Sequence, residues 1–250
     1  MTNPERKLLE AAYFRRIGEI GLTHAASKPW SDPGCAQYMQ EFGSVLALCP
    51  PPPGSLLDIG CGAGWTSAMF AQCGYHVHGI DLAPEAISFA KEFHNWPELT
   101  FAVHDFDETF SDSGRFDVAV FFDALHHSTD EVLPLRLAFD ALRLGGTCVV
   151  CEPGRGHAAA EVARQAMASH GVTERDMTPE MVIRAARAVG FRGAAIYPHP
   201  QRFVVPAYRP RNSARTTRER VLRTPFVVAL RAFYAASVER RSWGIVVLTK

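Results

Sequence analysis

Leu56-Leu57-Asp58-Ile59-Gly60-Cys61-Gly62-Ala63-Gly64-Trp65-Thr66-Ser67 is the stretch that decides the fold. An apolar run ends in an acid, three glycines follow at alternate positions, and a helix-forming segment begins at once. That order describes a strand, a tight turn and a helix N-terminus, the place where an α/β sheet holds a nucleotide-like ligand. Glycine is needed in such a turn because it adopts positive φ and has no side chain to hold a ligand off the main chain. The spacing is G-x-G-x-G, not the G-x-G-x-x-G of a dinucleotide site, and no Gly-Lys-Ser/Thr of a phosphate loop follows. An acid two residues before the first glycine suits a ligand carrying an ammonium group and would repel a pyrophosphate.

From this stretch onward, strand and helix patterns alternate, which predicts a parallel sheet covered by helices on both faces. Strands are expected at about 55–59, 76–80, 99–103, 116–122, 147–152, 193–197 and 243–248. The fourth, Phe116–Phe122, is almost wholly apolar, as a central parallel strand should be. Upstream, helices are expected over 4–20 and 35–48, with a loop at 21–34 between them. Leu8, Leu9, Ala12, Phe14 and Ile17 form the expected apolar side of the first helix. Pro50-Pro51-Pro52-Pro53-Gly54 ends the second helix, because prolines cannot continue it. The expected organisation is an N-terminal helical cap, 1–53, and a core, 54–250.

Two further acids fall at strand ends. Asp81 closes the second strand, where a carboxylate can accept both hydroxyls of a ribose. Asp105 follows the third strand within His104-Asp105-Phe106-Asp107 and is placed to accept an adenine amino group, with Phe106 as an apolar wall.

Asp58, Asp81 and Asp105 after strands 1, 2 and 3, together with Gly60, Gly62 and Gly64, resemble the class I methyltransferases that use S-adenosylmethionine (SAM). The similarity covers about residues 55–155. It implies a Rossmann-like seven-stranded sheet with an antiparallel strand 7. By this resemblance Gly60, Cys61, Gly62 and Gly64 approach the methionine part of SAM. Asp58 orders the loop and faces the amino group, Asp81 holds the ribose with Leu82 beside the adenine, and Asp105 and Phe106 hold the adenine.

The turn after strand 4, Asp123-Ala124-Leu125-His126-His127, should face the methyl group. Asp123 is expected on the cofactor side. His126 and His127 are candidate general bases, since an ordinary imidazole titrates near neutrality. After strand 5, Glu152-Pro153-Gly154-Arg155-Gly156-His157 borders the same cleft, with Arg155 a candidate grip for an anionic acceptor and His157 a third candidate base. Tyr13 and Trp30 are aromatic candidates for closing the acceptor side. Lys28-Pro29-Trp30-Ser31, Pro50–Gly54, Glu152–His157 and Tyr197-Pro198-His199-Pro200 together resemble a branch associated with bacterial surface-polysaccharide pathways. That resemblance implies a sugar or sugar-nucleotide hydroxyl as acceptor.

The chain has 250 residues, 47% of them apolar and 21% charged, an ordinary balance for one globular domain with additions. The first ten residues are polar and charged, and no run approaches the roughly 18 apolar residues that span a bilayer. A cytoplasmic protein with reduced cysteines is expected. Cys148 and Cys151 are three apart on a strand and should point to opposite faces, so they should not share a metal, and no metal site is expected. The net charge of zero conceals a basic end: residues 201–250 hold 11 Lys/Arg against 2 acids. Most of it lies in an expected insertion at about 199–242, with Arg215, Arg218, Arg220 and Arg223 and then an apolar helix opened by Thr224-Pro225. Residues 201–241 read either as a solvated charged face balancing an acidic body or as a lid over an anionic ligand, a dimer contact or a membrane-surface contact. They lack the interleaved aromatics of an RNA-binding face, so a nucleic-acid partner is not favoured. The reading is a SAM-dependent methyltransferase of a small or glycan-linked acceptor. RNA, lipid or another natural product is the alternative acceptor. An NAD-type oxidoreductase and a non-catalytic SAM-binding protein are the alternatives of another class.

Overall fold

The computed structural model describes residues 3–109, 113–203, 216, 221–222 and 224–250. Seven strands form one sheet: β1 (Ser55–Ile59), β2 (His76–Asp81), β3 (Leu99–Val103), β4 (Phe116–Phe122), β5 (Leu142–Cys151), β6 (Gly193–Pro198) and β7 (Gly244–Thr249). Their order is β3-β2-β1-β4-β5-β7-β6. β1 to β5 pair in parallel, and β7 lies antiparallel between β5 and β6. The order reverses between β1 and β4, so the crevice for a ligand opens above their C-terminal ends.

The helices are α1 (Asn3–Ala26), α2 (Cys35–Leu48), α3 (Trp65–Gln72), α4 (Pro84–Phe93), α5 (Val132–Ala141), α6 (Glu161–His170), α7 (Pro179–Val189), the short α8 (Pro200–Phe203) and α9 (Pro225–Ser237). Alternation along each strand divides the core. Leu57, Ile59, Phe121, Cys148 and Val150 face α5 and α7, while Leu56, Val118, Val120, Val149 and Cys151 face α2, α3 and α4. Cys148 and Cys151 therefore lie on opposite faces, as their spacing requires, and both thiols are free.

The first helix differs from the sequence expectation. It continues to Ala26, into the first part of the expected loop, interrupted at Gly18, whose φ of 65° and ψ of −171° suit only glycine. Leu8 is exposed, while Phe14 and Ile17 turn into a cavity. β5 also begins at Leu142, earlier than Thr147: Leu142 already pairs with Phe116 of β4, and the register shifts before Thr147, where Gly145 takes a φ of 77°. Of the expected insertion, α8 and α9 are described. Arg215, Arg218, Arg220 and Arg223 lie outside the described residues. Among the described residues no helix is long and apolar enough to cross a membrane.

Candidate active site

A cavity of about 550 Å³ opens above the C-terminal ends of β1, β2 and β4, with α1 and the segment after β5 as its outer wall. This volume is in the range of small-molecule sites. Its floor is the glycine turn. Gly60 and Cys61 donate their N–H groups to the Ile80 carbonyl at 2.8 and 3.0 Å, which pins the turn to the end of β2. Gly60 has a φ of 76°, and a Cβ there would stand 2.6 Å from the Ala124 Cβ. Only glycine lets the turn after β1 and the turn after β4 meet.

Asp81 reaches back to the same turn. Its Oδ2 accepts the Gly62 N–H at 2.8 Å and its Oδ1 accepts the Ala83 N–H at 2.9 Å. Burial pushes its carboxyl up, tempered by those two donors. Each oxygen keeps a lone pair, so the carboxylate remains competent to accept ribose hydroxyls. Leu82, Asp105, Phe106, Cys61 and Gly62 line the cavity beside it. Asp105 is paired with Lys7 of α1 at 2.5 Å, and Lys7 also holds Asp107 at 2.9 Å.

Two residues of the loop play another part than expected. Asp58 does not face the cavity. Its side chain is buried, and its Oδ2 accepts the Thr66 and Ser67 hydroxyls at 2.7 and 2.5 Å, so it braces the start of α3 from behind. Burial pushes it up to about 6 despite those hydroxyls. Gly64 also faces away. It caps α3 with a φ of 84°, and a Cβ there would meet the Phe101 ring at 2.6 Å, so this glycine serves packing.

The far end of the cavity is built around histidines. His126 is 3% exposed. Its Nδ1 lies 2.7 Å from Glu152 Oε2 and its Nε2 lies 3.3 Å from Glu174 Oε2. Burial opposes its charge, but the two carboxylates outweigh burial and raise it to about 10. Both ring nitrogens of His126 are thus engaged by carboxylates that favour its charged form, which tells against the expected role as a general base. His127 stacks near it, with ring centroids 4.1 Å apart. His127 Nδ1 lies 2.7 Å from the Thr173 carbonyl, which makes Nδ1 the protonated nitrogen and leaves Nε2 as the acceptor. Burial, then the neighbouring His126 charge, lower His127 to about 4. It stays neutral and open to a proton.

His157 does reach the cavity, with Nε2 2.6 Å from Glu174 Oε2. Burial works against ionisation of Glu174, but His126 and His157 outweigh it and hold its carboxyl well below the usual carboxylate range. Tyr13, Phe14, Val162, Ala166 and Val172 supply the apolar wall here. Asp123 also lines the cavity, in a left-handed backbone conformation (φ 56°) uncommon for a non-glycine residue.

Arg155 and Trp30 are not brought to the site. Arg155 is exposed beyond the turn, with its carbonyl accepting the Trp243 indole N–H at 2.7 Å. Trp30 is 65% exposed and lies off the lining. Residues absent from the sequence reading take their places: Glu10, Thr173 and Glu174. Glu10 of α1 accepts the Thr173 backbone N–H and lies 3.7 Å from His127 Nδ1. Burial raises Glu10 to about 7. No local pattern marks these residues, since 163 positions separate Glu10 from Thr173. His126, His127 and Glu174 converge closely enough to suggest a cation site, as do Asp123, His126 and Glu152. Both nitrogens of His126 already face carboxylates, so both sets share a protonated member and fit a metal poorly.

The family model for the methyltransferase domain matches residues 34–194. The chain belongs to this family. It is 34% identical over 144 residues to a ubiquinone biosynthesis O-methyltransferase of Cereibacter sphaeroides, covering 56% of this chain and 58% of the relative. It is 30% identical over 122 residues to the Xanthomonas campestris protein of the same name, covering 48% of this chain and 51% of that one. The 2-methyl-6-phytyl-1,4-hydroquinone methyltransferase of Synechocystis is 32% identical over 117 residues, 46% of this chain and 36% of the relative. The chain thus spans about half the length of the curated relatives it matches, or less.

Among solved structures, a SAM-dependent methyltransferase from Mesorhizobium loti superposes with a TM-score of 0.59 at 19% identity, covering 84% of this chain and 98% of that one. Phosphoethanolamine N-methyltransferase 2 of Haemonchus contortus with bound SAM gives 0.63 at 17%, covering 98% and 59%. At such identities the likeness is one of fold. This methyltransferase-domain protein carries the seven-stranded sheet of SAM-dependent methyltransferases, and SAM is the cofactor expected from its glycine turn. The residues present suit it: a two-oxygen acceptor at Asp81 for the ribose, and an aromatic wall at Phe106 with Asp105 for the adenine.

Proposed function

We propose that this protein transfers the methyl group of SAM to a hydroxyl of a small, largely flat acceptor seated between α1 and the segment 172–174. The observation that carries this reading is continuity: the Asp81–Gly62 cradle and His127 line one cavity, whose far end sets the wall of Tyr13, Phe14, Val162, Ala166 and Val172 beside His127. Bound SAM supplies an electrophilic methyl carbon. The acceptor oxygen bonds to that carbon as the carbon–sulfur bond breaks, and His127 Nε2 takes the hydroxyl proton. Holding the two reactants in line does most of the work, and proton removal adds to it. Tyr13 forms part of the acceptor wall, and residues 1–53 act as the cap that covers it.

An aromatic or quinol hydroxyl is the acceptor class supported by the names of the relatives and by the apolar wall. A sugar or sugar-nucleotide hydroxyl, expected from the loop resemblances, has no support in the names of those relatives. The deciding assay incubates the protein with SAM and a panel of catechols, hydroquinones and sugar nucleotides, and measures S-adenosylhomocysteine (SAH) release. Turnover confined to phenolic acceptors is the expected outcome. Turnover of sugar nucleotides alone, or no SAH binding by calorimetry, would overturn the reading.

The basic end supports a second contact in a cytoplasmic setting. Phe226, Leu230 and Phe233 form one exposed apolar stripe of α9, beside the exposed Arg231. Such a face suits an anionic bilayer surface, from which an acceptor with an isoprenoid tail would be drawn. Flotation with phosphatidylglycerol-containing vesicles, lost in Phe226→Ser/Phe233→Ser, is the expected result. Equal flotation of wild type and variant would remove this contact.

A further inference from the structure

Lys28 is a cavity-lining cation whose neighbours leave it available. Lys7, at the other end, is committed to Asp105 and Asp107. Lys28 is only partly exposed, yet among the described residues its one hydrogen-bond partner is the Tyr38 hydroxyl, 3.1 Å away, and it lies 4.6 Å above the Tyr38 ring. Among the described residues no carboxylate stands within ion-pair distance of it. A desolvated ammonium is costly unless an anion joins it. Two of its three N–H donors are unused, and Tyr38, which accepts from Lys28, keeps its own O–H to donate.

The position of this pair is fixed by a chain of aromatic contacts. Trp65 is the first residue of α3, directly after the glycine turn. Tyr38 packs on Trp65 with ring centroids 5.6 Å apart, and Trp65 packs on Phe122 at 5.3 Å. Phe122 leads into Asp123, whose carboxylate is near enough for its charge to act on Lys28. Asp123 keeps its place at the cost of a left-handed backbone, a form of strain that gathers at functional positions. One end of the cavity therefore holds a positive and a negative side chain, flanking the glycine turn at the end opposite the adenine wall of Asp105 and Phe106.

The amino-acid end of SAM is a zwitterion with one carboxylate and one ammonium. Given the SAM site already described, we propose that Lys28 and the Tyr38 hydroxyl bind its α-carboxylate while Asp123 takes its ammonium, so that these residues fix the reach of the methyl group toward His127. Asp123 thus takes the part that Asp58, turned away behind the loop, does not play.

Calorimetry tests this without turnover. SAH is compared with 5′-methylthioadenosine, which lacks the amino-acid end, and with decarboxylated SAH, which lacks only the carboxylate. Wild type should bind SAH at least about tenfold more tightly than either truncated ligand. Lys28→Met should lose that advantage over decarboxylated SAH and keep its affinity for 5′-methylthioadenosine, with part of the loss restored in Lys28→Arg. Asp123→Asn should weaken SAH and decarboxylated SAH together. Equal weakening of SAH and 5′-methylthioadenosine in Lys28→Met would make Lys28 a structural residue and overturn the proposal, as would unchanged SAH binding. Should Lys28→Met fail to fold, equal affinity of wild type for SAH and decarboxylated SAH is the overturning result. Absence of SAH and 5′-methylthioadenosine binding in wild type would instead refute the SAM site itself.

Discussion

Glu152 Oε2 lies 2.7 Å from His126 Nδ1, and the same carboxylate accepts the backbone N–H groups of Ala124 and Leu125 through Oε1 at 3.1 and 2.8 Å. One buried acid at the end of β5 thus holds the whole turn after β4. Removing one partner of a buried charge pair strands the other, at a cost of roughly 3–5 kcal/mol. Glu152→Gln should lower the urea midpoint accordingly. A midpoint equal to wild type would show that the turn stands without the pair.

The same pair sets an alkaline limit. His126 is raised to about 10 in the fold, above its unfolded value near 6.5. Its charge stabilises the fold fully below about pH 6.5, and the contribution is lost as pH rises through about 10. Denaturation between pH 7 and 10 should show stability falling more steeply in wild type than in His126→Phe, and parallel slopes would contradict this.

Asp81 joins cofactor binding to loop geometry. Asp81→Asn keeps an acceptor near Gly62 but removes the charge, and should weaken SAH by roughly 1.5–3 kcal/mol, a factor of about 10 to 150. Asp81→Ala should weaken it further, since the Gly62 and Ala83 N–H groups also lose their partner. Isothermal titration with SAH measures both, and wild-type affinity in either would remove Asp81 from the site.

Glu10 and His127 meet through the Thr173 peptide, which donates its N–H to one and offers its carbonyl to the other. Proton uptake by His127 is favoured when Glu10 is ionised beside it, and Glu10 sits at about 7. Turnover should rise with pH through an apparent pKa near 7 and level off above it. Glu10→Gln should flatten that limb, and His127→Gln should reduce kcat about 100-fold or more with SAH affinity unchanged. An unaltered pH profile in Glu10→Gln would exclude the coupling.

Arg155→Ala and Trp30→Ala should leave SAH affinity and acceptor KM within about twofold of wild type, because neither side chain reaches the cavity. A large rise in KM for either would restore it to the acceptor site.

The sequence made the sheet legible because each strand is a short apolar run closed by a marker: Asp58 and the glycines after β1, Asp81 at the end of β2, the Pro-Gly turn after β5. The proposed cofactor half follows those markers, since Asp81 closes β2 and Asp105 and Phe106 follow the end of β3 by two and three residues. The acceptor half does not. Glu10 comes from α1 and Glu174 from the segment after α6, and only the packed chain brings them beside the histidines. Residue type alone also misjudged His126. Its identity suggested a base, whereas two carboxylates that the sequence does not place next to it occupy both ring nitrogens and favour its charged form. Asp58 illustrates the converse: its position was read correctly, and its direction was set by two hydroxyls on α3.

Lys7 and Glu10 lie one turn apart on α1, yet Lys7 grips the acids of the adenine wall and Glu10 grips the peptide beside the acceptor. A single helical segment therefore closes both compartments at once. The expected consequence is that filling one compartment organises the lid of the other and makes the two substrates kinetically dependent. The expected steady-state pattern is compulsory order, with SAM first on and SAH last off: SAH inhibits competitively against SAM and noncompetitively against the acceptor.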